Sequence, residues 1–214
     1  MRTIEIQVFP FNELNEQAQR KALDKCREIN TGFNWWNEVY EDFQNLCGYF
    51  GLTMDITLIY FSGFYSQGDG SCFTADVDMV QMLSCIENKA WKEYAPEEDL
   101  YFCRTDYDKR LVKLIQQDLI SLAVQVDSTS AGYGVQVYFD ATVNGPRGDS
   151  YPNIENALDQ LDKVCTCVCQ TLNQWLYKHL QEEYENRTSD KAVMDSIISN
   201  GYEFLQHGSI SSFQ

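Results

Sequence analysis

The sequence predicts an α+β fold, with an antiparallel sheet of about four strands packed against several helices, one of them long and C-terminal. Three observations carry that reading. Several short runs alternate apolar and polar residues, as half-buried strands do. Other stretches place apolar residues every three or four positions, the mark of an amphipathic helix. A third pattern, from Ile154 to His179, sustains a 4-3-4-3 apolar spacing over many turns.

The elements follow in order. Residues 3–9 alternate Ile4, Ile6 and Val8 with Thr3, Glu5 and Gln7, which predicts a strand ended by Pro10. Asn12 or Asn15 can cap a helix whose core stripe is Ala18, Ala22, Cys26 and Ile29, broken at Thr31-Gly32. A second helix is predicted from Asn34 to Tyr49 through Trp36, Val39, Phe43, Leu46 and Cys47. Residues 54–61 place Met54, Ile56, Leu58 and Tyr60 on one face, and residues 73–79 do the same with Phe73, Ala75, Val77 and Met79. The Gly-rich segment 62–72 between them makes a hairpin with a long loop. A fourth strand spans Tyr133–Val143.

Helices fill the remainder. One is predicted over 79–94. Another runs from Asp106 to Val126, with a face of Leu111, Ile115, Leu119, Leu122 and Val126. The longest begins near Asn153 and persists to about Tyr184. Its seam is expected to pack on the 106–126 helix or to form a dimer contact. Thr188 or Ser189 caps a last short helix that closes at Asn200-Gly201. No repeat or linker composition interrupts the chain, so residues 1–214 read as a single acidic domain.

Composition narrows the function. The formal net charge of −16 repels nucleic acid and anionic lipid, so neither is expected as a direct partner, whereas a basic protein is. Acidity that serves only solubility is the plainer alternative. The charged, alternating N-terminus is not a signal peptide, and no apolar run is long enough to span a bilayer; a cytoplasmic protein is expected. The 8 cysteines suit buried positions in a chain large enough to fold without staples, and reduced thiols are expected.

No catalytic constellation stands out. Cys165, Cys167 and Cys169 alternate, but on a helix only Cys165 and Cys169 share a face, and the 2 histidines, His179 and His207, lie at no metal-ligand spacing. No metal, cofactor or enzymatic activity is expected. The Gly68-Asp69-Gly70 tip lacks a lysine and joins strand to strand, so turn chemistry explains it better than phosphate binding. Phe64 and Tyr65 beside it either pack back on the sheet or offer a contact surface. Asp69, Asp76 and Asp78 could be imagined around a magnesium ion, although solvent-facing carboxylates account for them equally simply. The acidic stretch Glu93, Glu97, Glu98 and Asp99 is either a solvated face or a contact for a basic partner. The candidate partner-binding set is therefore Phe64, Tyr65, Gln67, Asp69, Glu93, Glu97, Glu98 and Asp99.

Three segments carry a family resemblance: Phe11-Asn12-Glu13-Leu14-Asn15-Glu16-Gln17-Ala18, Trp35-Trp36 with Tyr40-Glu41-Asp42, and the run Ile59 to Phe73 containing Ser-Gly-Phe-Tyr-Ser-Gln-Gly-Asp-Gly. With the closing Asn200-Gly201-Tyr202-Glu203-Phe204, they resemble a family of small phage and prophage proteins often labelled antitoxins of toxin–antitoxin systems. The resemblance implies a non-enzymatic protein that neutralises a toxin or host-defence protein, and it supplies no catalytic residues. The expected partner is a basic host or toxin protein or a ribonucleoprotein, bound by a monomer or homodimer. Two alternatives stay open: an acidic DNA mimic that competes for a nucleic-acid site, and a metal-dependent enzyme centred on the 62–72 loop.

Overall fold

The computed structural model describes residues 6–129, 133–144 and 152–210. Among the described residues the fold is α+β, with six helices and a four-stranded antiparallel sheet beside smaller sheets. The chain divides into two compact units, Met1–Asn37 with Leu180–Gln214, and Glu38–His179. One boundary falls inside a continuous helix, which is why no linker composition marks it.

In the first unit, α1 (Glu16–Lys25) starts where expected, because the Asn15 side chain accepts from the Ala18 amide. Its stripe of Ala18, Ala22 and Cys26 is buried with Phe11, Leu14, Val193, Ile197 and Phe204. Helix α6 (Asp190–Ser199) is capped by Ser189, whose hydroxyl accepts from the Ala192 amide. The strand expected over residues 3–9 is shorter: residues 3–5 lie outside the described residues, 6–8 are not strand, and β1 is Phe9–Pro10, paired with β8 (Glu203–Phe204).

The second unit holds the larger core. Helix α2 (Asn37–Tyr49) begins three residues later than expected and buries Tyr40, Phe43, Leu46 and Cys47. Strand β2 (Leu52–Thr53) is followed by a 3-10 turn at Ile56–Leu58, held by Asp55, whose carboxylate accepts from the Thr57 amide and hydroxyl. That Asx-type turn breaks the expected strand 54–61 and shifts its phase by one residue. In β3 (Ile59–Ser62) the buried residue is Ile59, while Leu58 and Tyr60 face solvent, the reverse of the expected parity. Strand β4 (Gly70–Phe73) pairs antiparallel with β3, so a hairpin forms as expected, but β4 begins inside the segment expected as loop. The rest of the expected 73–79 strand is β5 (Ala75–Val77), which follows a break at Thr74 and pairs with β2 rather than β3.

Helix α3 (Met79–Asn88) is capped by Asp78 and stops at Lys89, which turns left-handed at φ 53°; a 3-10 turn at Ala90–Glu93 completes the segment expected as one helix. The 106–126 helix is the main correction. Only α4 (Arg110–Gln116) is helical. Asp118 then adopts φ 54°, a left-handed conformation that aspartate tolerates, and the chain turns into strand β6 (Ile120–Ser128). Ile120, Leu122, Val124 and Val126 satisfy a period of two as well as a helical stripe, and β-branched content tips short runs of this kind toward strand.

Strand β7 (Val135–Val143) pairs with β6 along its whole length, and the main sheet has the order β2-β5-β6-β7. Its odd-numbered residues lie toward the apolar side, as expected, though only half-buried. Helix α5 (Pro152–Arg187) has the expected start and outlasts the expected end. It has no 106–126 helix to pack on, and its buried surface is wider than a narrow seam: Ala157, Val164, Cys167, Cys169 and Leu176 join Leu161, Cys165, Val168 and Leu172. Phe43 of α2 stacks on Trp175, and Ser71 of β4 is clasped by Asn173 through hydrogen bonds in both directions. Six cysteines are free and buried, but Cys103 and Cys167 form a disulfide across 64 residues, which corrects the all-reduced reading for that pair. A crosslink at that separation leaves no local sequence signal.

Candidate functional site

The hairpin loop is built around Asp69. Its carboxylate accepts from the backbone amides of Tyr65 at 3.0 Å and Ser66 at 2.6 Å, and from the Ser62 hydroxyl at 3.3 Å. Gly68 takes φ 95°, as turn chemistry anticipates; Gly70 is required for a different reason, since a Cβ there would meet the Cβ of Tyr133 at 2.9 Å. Phe64 packs back, its ring 5.7 Å from Phe61 and 5.6 Å from Tyr177, whose hydroxyl donates to the Gly63 carbonyl. Tyr65 stands 72% exposed and Gln67 is exposed beside it. Of the loop candidates, Asp69 and Phe64 shape the loop, and Tyr65 and Gln67 face solvent.

The second candidate group is divided between bonded and solvent-facing carboxylates. Asp99 pairs with Lys92 at 2.8 Å, and this ammonium holds its carboxyl below the usual carboxylate range. Glu98 lies 3.2 Å from the His179 ring, while Glu93 and Glu97 are exposed. The two candidate groups are not brought together. The loop rests on Tyr177 and Glu98 on His179, and side chains two apart on a helix diverge by roughly 200°.

A different acidic surface emerges on the outward face of the main sheet. The pairing registers align Thr53, Asp76, Gln125 and Tyr138 in one row across β2, β5, β6 and β7. Neighbouring rows set Asp127 opposite Gln136, Ala123 opposite Asp140 and Ser121 opposite Thr142. All of these residues are exposed. A cleft of about 940 Å³ opens over one end, lined by Met54, Asp55, Leu58, Asp76, Asp127 and Tyr138 among others. A second, of about 670 Å³, continues from Thr53, Asp76 and Gln125 toward Asp78 and Asp118.

Asp55, Asp76, Asp78 and Asp127 each accept from hydrogen-bond donors. Asp76 accepts from the Gln125 side chain at 2.9 Å, and Asp78 caps α3, so the two aspartates considered for a metal do separate jobs. Asp127 accepts from the Ser128 amide and the Thr74 hydroxyl, which hold its carboxyl below its ordinary value; the Thr57 amide and hydroxyl do the same for Asp55. Such carboxyls stay ionised throughout the neutral range. Among the described residues, no ion pair involves Asp55, Asp76, Asp78, Asp127 or Asp140. Among the described residues there is also no group of three or more His, Cys, Asp or Glu arranged to hold a metal ion.

Local clusters of Asp and Glu do not mark this face, because strand residues that share a face are spread over the sequence. The missed signal was an absence: no Lys or Arg occurs between Arg27 and Lys89 or between Lys113 and Arg147, so every strand from β2 to β7 lacks a cation. Among the described residues, no helix is long and apolar enough to cross a membrane.

Residues 35–190 match the model of the family DUF8835, described as a domain of unknown function, and the chain belongs to that family. Comparison with curated proteins and with solved structures gives no match.

Proposed function

We propose that the chain is a non-enzymatic binding protein whose outward sheet face receives a basic protein surface, in the manner of an antitoxin or an inhibitor of host defence. The observation that carries the proposal is the open face bearing Asp55, Asp76, Asp127 and Asp140 with no Lys or Arg in any strand beneath it. Carboxylates gathered on one face without a neighbouring cation create a field that speeds encounter with a cationic partner and disfavours anionic ones. Leu58 and Tyr138, both exposed at the cleft, add apolar contact of the kind that anchors an interface. The phage-family resemblance agrees with this reading.

Capture from host lysate at two salt concentrations tests it. The wild-type chain is expected to retain a specific basic protein in a salt-sensitive manner. The variant Asp76→Asn/Asp127→Asn/Asp140→Asn is expected to bind it at least about tenfold more weakly, and Glu93→Gln/Glu97→Gln/Asp99→Asn to bind nearly as wild type. Equal losses in both variants would refute the assignment to the sheet. Displacement of the captured protein by duplex DNA would refine the reading to mimicry of nucleic acid.

A further inference from the structure

β7 is an edge strand. In the main sheet it is paired with β6 on one side, and among the described residues no strand pairs with the other. The register shows which of its groups are left over. Asn144 donates to the Leu119 carbonyl and Thr129 to the Gly134 carbonyl, so even-numbered residues of β7 exchange hydrogen bonds with odd-numbered residues of β6. The N–H and C=O groups of Val135, Val137, Phe139, Ala141 and Val143 therefore point outward along the free edge. Natural edge strands are usually blunted by lysine, proline, a bulge or short length. β7 is nine residues long, unbroken in register, and holds neither lysine nor proline.

We propose that this edge takes an extended, basic segment of the partner as an added antiparallel or parallel strand, a mode of recognition known as β-augmentation. The inference rests on the acidic-face reading above and specifies how the partner is held. The two sides of β7 dictate the segment's character. Side chains of an added strand on one side would continue the half-buried apolar row of Val135, Val137, Phe139, Ala141 and Val143. Those on the other would lie beside Gln136, Tyr138, Asp140 and Thr142, on the face that carries Asp76 and Asp127. An alternation of apolar and basic residues satisfies both rows. A second copy of this chain would double the apolar row too, but it would bring another −16 of charge to a surface without cations. Charge complementarity thus selects a cationic partner over self-association.

The test uses the full chain and a synthetic peptide alternating valine and lysine over the length of β7. Controls are a peptide of the same composition with valines and lysines in separate blocks, and one alternating valine and glutamate. Tight, salt-sensitive binding of the first alone is expected, together with slowed hydrogen exchange at the amides of Val137, Phe139 and Ala141. The variant Ala141→Pro is decisive, because the Ala141 N–H points outward. Proline there removes an edge donor and obstructs a neighbouring strand without removing a bond to β6. It is expected to weaken the peptide at least about tenfold.

Should that variant fail to fold, peptides N-methylated on one or the other set of alternate amides replace it: one set must abolish binding and the other must not. Unchanged binding by a folded Ala141→Pro variant, equal tolerance of both methylated peptides, or unprotected β7 amides in the complex would overturn the proposal. If binding survives Ala141→Pro but is lost in Asp76→Asn/Asp127→Asn/Asp140→Asn, strand addition falls and the acidic-face reading stands. The converse pattern upholds strand addition and removes the acidic face.

Discussion

Asp69 shows how a residue selected as a contact serves as a scaffold. Its carboxylate gathers two backbone amides and a hydroxyl inside the loop, and Gly63 lies against it with no room for a side chain: an added Cβ would stand 2.8 Å from the carboxylate oxygen. Replacing Asp69 with alanine is expected to speed hydrogen exchange at Tyr65 and Ser66 and to expose the loop to protease. Global stability should fall by only about 1 kcal/mol, because the hairpin ladder and the Phe64 packing remain. Unchanged exchange at both amides would contradict this role. The sequence shows an aspartate between two glycines in a loop, and nothing in that pattern distinguishes a loop-building carboxylate from a partner-facing one. Asp127 and Asp55 pose the same problem in reverse. Asp55 reads as a solvent-facing residue of the expected 54–61 strand and Asp127 as the residue after the expected 106–126 helix, and only the observed pairing of the strands gathers them onto one face.

Elements with strong local chemistry were legible. Asn15 and Ser189 cap their helices as the sequence indicates, a hairpin forms around the Gly-rich loop though on strands 59–62 and 70–73, and β7 occupies its expected place. Two departures have distinct causes. The Asx turn at Asp55 shifted the phase of β3, and the run 119–126 fitted a helical stripe and a strand alternation equally well. Without the 106–126 helix, α5 meets α2 through Phe43, the hairpin through the Ser71–Asn173 clasp, and the 98–103 segment through His179 and the Cys103–Cys167 disulfide. Ser71 is a polar residue buried in this core, at 1% exposure, and Asn173 satisfies both its hydroxyl and its carbonyl. Asn173→Ala leaves the Ser71 carbonyl without its donor, while the Ser71 hydroxyl keeps the backbone carbonyl of residue 173, so a loss of about 1–3 kcal/mol is expected in denaturant unfolding. The double variant with Ser71→Ala should lose less than the sum of the single variants, since both act on one clasp. Strict additivity would show that the clasp does not couple hairpin and helix.

Across the whole molecule, the net charge of −16 is less informative than its distribution. The acidic segment at 93–99 draws the eye in the sequence, yet Lys92 pairs with Asp99, and Glu98 meets His179. Among the described residues, the sheet carries carboxylates that no cation answers, on strands without a single lysine or arginine, beside an edge whose backbone groups pair with no other strand. Acidity needed only for solubility has no reason to segregate in this way. Family membership over residues 35–190 includes the whole of this sheet and hairpin, while assigning them no role. Zero-length carbodiimide cross-linking of the captured basic partner, read by mass spectrometry, tests the central claim most directly, because it joins only carboxylates in contact with lysines. Links from Asp76, Asp127 and Asp140 to the partner are the expected result; links confined to Glu93, Glu97 and Asp99, with none on the sheet, would contradict it.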